Sequence, residues 1–305
     1  MKFKKIVTAL MTAGVAAGTL TFSYAQAQSA SPTGTLQKIR DTGTVSLGHR
    51  ESSIPFSYYA ENQRVVGYAH EYAMQIVKAI EQELNQPHLD VRLTPITSQN
   101  RIPLLQNGTI DLECGSTTNN LERQQQAAFS NTIFVVNTRL LTRVDSGVKD
   151  FADLQGKTVA TTAGTTSERI LRAMNQEKKL GMNIISAKDH SEAFLMLETG
   201  RAVAFMMDDA LLAGERAKAK DPSRFVIVGT SQSQEAYGCM LRKNDPAFKK
   251  LVDDTIAKLQ TSGEAIKIYQ KWFQKPIPPR NLNLNFPQSE ELKASFKRPN
   301  DHAKG

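Results

Sequence analysis

One plan occurs twice in this chain, and it restricts the fold more than any other feature. Leu104-Leu105-Gln106-Asn107-Gly108-Thr109-Ile110-Asp111-Leu112 and Met196-Leu197-Glu198-Thr199-Gly200-Arg201-Ala202-Val203-Ala204 each run from a helix end through a glycine turn into an apolar strand. Glycine just past a helix supplies the left-handed turn that stops it. Around each copy, strand and helix patterns alternate. In the first half, residues 45–48, 89–93 and 110–114 read as strands. Tyr72, Ala73, Ile76, Val77, Ile80 and Leu84 recur at helical spacing and predict a helix over about 69–86, and 103–107 reads as a short helix. In the second half, 157–161, 182–186 and 203–207 read as strands, with helices over 167–176 and 190–198. Strand-helix alternation predicts mostly parallel sheets with helices on their faces, and the repeat predicts two similar α/β lobes.

Further strands are expected near 225–228 and 237–241. Asp245 and Pro246 then open a long helix, Asp245 as its cap and Pro246 at the position where a missing N–H costs nothing. Gly263 breaks that helix and 265–273 forms another. Pro276, Pro278 and Pro279 forbid continuation, and the polar tail 280–305 is expected to lie on the surface or to be disordered at its end.

The start of the chain reads as a secretory leader. Lys2, Lys4 and Lys5 precede an apolar run to about Phe22, and Ala25-Gln26-Ala27 supplies small residues for cleavage after Ala27 or Ala25. The run is broken by Gly14, Gly18 and several threonines, which argues against a membrane anchor. No cysteine lies near the cleavage site to carry a lipid, so an exported protein, free in solution, is expected. Loss of the leader, residues 1–27, lowers the formal charge from +8 to +5. That mild excess suits an anionic ligand. It is not gathered into a basic run with interleaved aromatics, so nucleic acid is not an expected partner. The two cysteines, Cys114 and Cys239, either pair, as is common in exported chains, or pack as buried thiols. Two cysteines do not make a structural zinc site, and no metal or cofactor is expected.

Candidate binding residues cluster where strands end, the place where open α/β sheets hold ligands. In the first half these are Gly48-His49-Arg50-Glu51-Ser52-Ser53, Thr97-Ser98-Gln99-Asn100-Arg101 and the stretch from Gly115 to Arg123. In the second they are Ala163-Gly164-Thr165-Thr166-Ser167, His190 and Asp208-Asp209. Each has a plainer reading. Arg50 and Arg101 would serve as surface cations. Thr117, Thr118 or Asn119, and likewise Thr166, would cap helices, as would Asp208 or Asp209. Together they fit an amino acid. An α-carboxylate calls for an arginine fork and hydroxyl or backbone donors, here Arg123 with Ser116 and Thr118. An α-ammonium calls for a carboxylate, here Asp208. Arg50, Arg101 and His190 are then cations beyond what one zwitterion requires, and Ser98 adds a neutral donor. An unpartnered second carboxylate would be costly to desolvate, so the surplus implies a dianionic ligand.

At this point the chain resembles a known family, the periplasmic amino-acid-binding proteins of ABC importers (solute-binding protein family 3), and within it the branch for glutamate and aspartate. The resemblance covers about 35–287. It rests on Gly48-His49-Arg50-Glu51-Ser52, Ile96-Thr97-Ser98-Gln99-Asn100-Arg101-Ile102-Pro103, Glu113-Cys114-Gly115-Ser116-Thr117-Thr118-Asn119-Asn120 and Phe205-Met206-Met207-Asp208-Asp209-Ala210-Leu211-Leu212. It implies a type II fold in which two strands cross between the lobes, with 28–137 and 236–305 in the larger lobe and 138–235 in the smaller. It implies that Arg123 grips the α-carboxylate and Asp208 the α-ammonium. Ser116 and Thr118 face Gly164, Thr165 and Thr166 across the cleft, and Arg50, Ser98, Arg101 and His190 hold the side-chain carboxylate. It implies a monomer that closes on L-glutamate or L-aspartate and delivers it to inner-membrane permease subunits. A bridge between Cys114 and Cys239 would join two neighbouring strands of the larger lobe. No G-x-S-x-G, H-E-x-x-H or dinucleotide fingerprint occurs, so the expected protein is not an enzyme.

Overall fold

The computed structural model describes residues 34–304, and the expected leader lies outside them. Strand Thr44–His49, whose Val45 and Leu47 are buried, pairs in parallel with Asp90–Pro95 on one side and Leu112–Glu113 on the other. Met240–Leu241 and Ala128–Phe129 extend this five-stranded sheet with antiparallel pairing. The second sheet begins with Asn183–Ala187, Thr158–Thr162 and Ala204–Asp208 in parallel, and continues antiparallel into Phe134–Arg143 and Phe225–Val228. Alternating strand and helix patterns built both sheets, and both end in antiparallel strands that the pattern alone did not specify.

The chain passes between the sheets twice. It leaves the first through Phe134–Arg143 and returns through Gln234–Tyr237. Those two strands pair with each other over 134–137, while the rest of Phe134–Arg143 belongs to the second sheet. The first-sheet ends of both strands are set in aromatic packing. Phe134 lies 4.8 Å from Phe273 and 4.9 Å from Phe56, and Tyr237 lies 5.2 Å from Phe56, between ring centroids. Such rings combine large buried area with geometric preference, so they fix the roots of the crossing firmly. Cys114 and Cys239, which flank the paired strands Leu112–Glu113 and Met240–Leu241, are joined by a disulfide with an S–S distance of 2.10 Å.

Three features differ from the sequence reading. Strand 110–114 shrinks to Leu112–Glu113, because the chain turns away into the loop that follows. Arg101 is not in a loop but opens the helix Arg101–Gln106. The tail is neither loose nor featureless. Ser289 caps a helix, Glu290–Lys297, that buries Leu292 and Phe296. Beyond it, the Asn300 carbonyl accepts from Thr132 N at 2.8 Å and Lys304 N donates to the Asn119 carbonyl at 3.1 Å. Two apolar residues four apart in a polar stretch are too few to announce an amphipathic helix.

Candidate functional site

The loop 115–120 is held by three arginines from three different elements. Arg50 leaves strand Thr44–His49 with its backbone N–H on Ser57 Oγ at 2.9 Å, and its Nη1 donates to Ser116 Oγ at 3.3 Å. Arg101 Nη1 donates to Thr117 Oγ1 at 2.6 Å and to the Ser116 carbonyl at 3.3 Å. Arg123 sits in the helix Leu121–Gln124, which is capped by Asn120 rather than by Thr117, Thr118 or Asn119. Its Nη1 donates to the Thr118 carbonyl at 3.0 Å and its Nη2 crosses the cleft to the Gly164 carbonyl at 3.3 Å. Arg50, Arg101 and Arg123 are 2, 1 and 9 % exposed, so none is a surface cation. Gly164 has φ +75°, and a Cβ there would lie 2.8 Å from the Gln99 side chain and 2.9 Å from its backbone N, so only glycine permits this close approach of the two sides.

On the second-sheet side, Thr165 is the cap of helix Thr166–Glu177, which frees Thr166. Asp208 ends its strand and makes no cap bond to the following helix. Its Oδ1 accepts from Thr138 Oγ1 at 3.0 Å and Ser167 Oγ at 3.3 Å, and its Oδ2 accepts from the Tyr237 hydroxyl. Asp209 instead bonds the backbone of Asn137 and Ala210. His190 follows its helix cap, Asp189, and is 1 % exposed, with Nδ1 2.8 Å from Thr162 Oγ1.

Arg101, Ser116, Thr118, Arg123, Thr165, Thr166, His190 and Asp208 line one nearly closed cavity of about 10 Å³, with Met207 and Leu211 as its apolar wall. Ligand pockets are far larger than this, so the two sides must part before a solute of amino-acid size can enter. Arg50 stands behind Ser116, outside the lining. Ser98 and Gly164 belong to a wider groove of about 670 Å³ that shares Arg123, Thr165 and Thr166 with the cavity.

Two buried carboxylates were not anticipated. Glu113 is fully buried. Its Oε2 accepts from Thr117 Oγ1 at 2.7 Å, and it is the largest favourable charge acting on both Arg50 and Arg101. Glu235, 1 % exposed on the returning strand, accepts from Thr118 and from Thr166, the latter at 2.8 Å. In a sequence, an acid inside a strand reads as an outward-facing residue. The loops that bury these two come from distant parts of the chain.

Burial dominates the electrostatics. It lowers Arg101 to about 10 and, with help from the Arg101 charge, Arg123 to about 9, so both remain guanidinium at neutral pH. Burial and then the nearby Glu235 charge lift Asp208 to about 7. Burial, followed by the charges of Arg50, Arg101 and Lys218, pushes His190 well below its usual value. The imidazole is therefore neutral, and the expectation of a fourth cation is corrected. Arg101 Nε, Ser98 Oγ and His190 Nε2 are buried without a hydrogen-bond partner among the described residues. Buried groups of this kind are rare in folded proteins, because each costs about 1–3 kcal/mol unless satisfied.

Comparison with known proteins places the chain. It belongs to the bacterial extracellular solute-binding proteins, family 3, whose model matches residues 45–275. It is 63% identical over 303 residues to the glutamate/aspartate import solute-binding protein of Salmonella typhimurium (strain LT2), covering 99% of each chain. It is 60% identical over 299 residues to the L-glutamate/L-aspartate-binding protein of Pseudomonas aeruginosa, covering 98% of this chain and 95% of that one. Both relatives are named as binding proteins, and this chain is a solute-binding protein rather than an enzyme. Among solved structures, an ancestral arginine-binding protein bound to arginine superposes with a TM-score of 0.67 at 29% identity, over 76% of this chain and 98% of that one. A substrate-binding protein of an ABC uptake transporter from Streptococcus pneumoniae, with bound histidine, shares the fold at a TM-score of 0.69 and 22% identity, over 78% and 95%.

Proposed function

We propose that this protein captures L-glutamate or L-aspartate in the periplasm, after removal of residues 1–27, and delivers it as a monomer to the permease subunits of an ABC importer. The observation that carries the ligand is the buried guanidinium of Arg101, which lines the cavity beside Arg123 with its Nε unpartnered among the described residues, while Ser98 Oγ is unpartnered in the adjoining groove. The guanidinium N–H asks for an acceptor, and a ligand carboxylate is the acceptor that also answers its positive charge. The charge count is tighter than a tally of arginines. Glu113 is the largest favourable charge acting on Arg50 and Arg101, and Glu235 on Arg123, so part of the positive charge is already offset before a ligand binds. Arg123, with Ser116 and the backbone N–H of Thr118, takes the α-carboxylate, and Asp208 takes the α-ammonium. Arg50, Arg101, Ser98 and neutral His190 take the side-chain carboxylate, and Gly164, Thr165 and Thr166 form the facing wall. The names and 60–63% identities of the relatives support the same ligands.

Closure follows from where these groups sit. In this reading 28–137 with 236–305 forms one lobe and 138–235 the other, and the crossing strands are the hinge. A ligand bound by both lobes favours the closed arrangement only through contacts that the open one lacks. Titration calorimetry tests the proposal. Glutamate and aspartate are expected to bind, and glutamine at least about 30-fold more weakly, because a charged partner is lost from a buried pair. Equal affinity for glutamine would overturn the ligand assignment.

A further inference from the structure

We propose that Glu235 is a positioning residue that turns the Thr118 and Thr166 hydroxyls into hydrogen-bond acceptors, and so makes this side of the cavity select for an ammonium group. The inference rests on the amino-acid reading above and deepens it. Glu235 lies on the strand that returns from the second sheet, and its Oε2 accepts from two hydroxyls on opposite sides of the cleft. Thr118 comes from the loop beneath the three arginines, and Thr166, at 2.8 Å, comes from the start of a second-sheet helix. Glu235 Oε1 accepts from Ser233 Oγ at 3.0 Å, which holds the carboxylate in place.

A threonine hydroxyl has one proton and two lone pairs, and an ionised carboxylate only accepts. With both protons committed to Glu235, Thr118 and Thr166 present lone pairs alone to the cavity they line. Asp208 lines it as well. Three acceptors then converge for an ammonium, whose three N–H groups have no other role. A carboxylate turned into this side would meet lone pairs and an acid, which is discrimination by repulsion. Of the hydroxyl or backbone donors expected from Ser116 and Thr118 for the α-carboxylate, the Thr118 hydroxyl is thereby excluded and its backbone N–H remains. Because one oxygen joins hydroxyls from both sides, orienting the ligand and drawing the sides together become the same event.

The test compares glutamate with glutarate, the same dicarboxylate without the ammonium, by calorimetry and displacement titration. In Glu235→Gln, the side-chain amide can donate to one threonine and so release that threonine's proton toward the ligand. Glutamate is expected to weaken at least about tenfold, the scale of a lost charged hydrogen bond, while glutarate changes less than about threefold. A double-mutant cycle guards against a variant that folds poorly. Thr166→Val is expected to cost glutamate about tenfold in the unmodified background and less than about twofold in Glu235→Gln, since the two act as one unit. Equal losses for both ligands, or additive effects in the cycle, would overturn the inference. Failure of the unmodified protein to bind glutamate at all would instead sink the ligand reading on which it stands.

Discussion

The two sides of the cavity solve opposite problems with similar residues. On one side, Arg50, Arg101 and Arg123 surround a loop and are tied to it by bonds to Ser116, Thr117 and Thr118, leaving donors aimed inward. On the other, Asp208 and Glu235 gather the hydroxyls of Thr138, Ser167, Tyr237, Thr118 and Thr166, leaving acceptors aimed inward. Serines and threonines appear on both. What differs is the charged group that claims their protons. A hydroxyl has no fixed polarity of its own, so the ligand specificity of such a site is written in the ions behind it.

The largest effect should come from removing the acid that faces the ammonium. Asp208→Ala is expected to weaken every α-amino acid by about 100-fold or more, measured by calorimetry, because it deletes the charge that ligands of this class share. Breaking the donor side should be more selective. Arg101→Ala is expected to cost glutamate and aspartate at least about 30-fold and glutamine less than about threefold. Uniform losses across these three would mean that the two sides are not distinct.

A smaller effect concerns stability without ligand. Asp208 is lifted to about 7 by burial, so between its unfolded value and 7 the folded protein holds a proton that the unfolded chain does not. That contribution is fully present below the unfolded pKa of 3.8 and is lost as pH rises through about 7, where the ionised group is buried at a cost. Asp208→Asn is therefore expected to raise the melting temperature of the ligand-free protein at pH 8 by roughly 2–4 °C or more, and to have little effect at pH 4. A destabilised variant at pH 8 would contradict this. The smallest signal is one that should stay still. His190 is buried among cations and held neutral, so its ring nitrogen resonances are expected to be unchanged between pH 6 and 8.

The sequence made some of this legible and hid the rest for physical reasons. The helix His190–Glu198 was readable because Thr199-Gly200 marks its end. The three arginines were readable because each follows a strand, a helix start or a strand-to-helix loop, where side chains project beyond the sheet. Glu113 and Glu235 were not. Each sits inside a strand as an ordinary polar residue, and its burial depends on loops far away in the chain. The order of the tail was hidden too, since its helix is held by Leu292 and Phe296 packing on a surface that the local sequence does not describe.

The bridge between Cys114 and Cys239 has a consequence of its own. The ring it closes spans 125 positions and contains the whole second sheet and both crossing strands. A protease that nicks any exposed loop within that ring leaves a single covalent molecule, and only a reductant would let the pieces part. The loop that the arginines hold starts one residue after this knot, so even a nicked chain keeps the foundation of its binding site tethered.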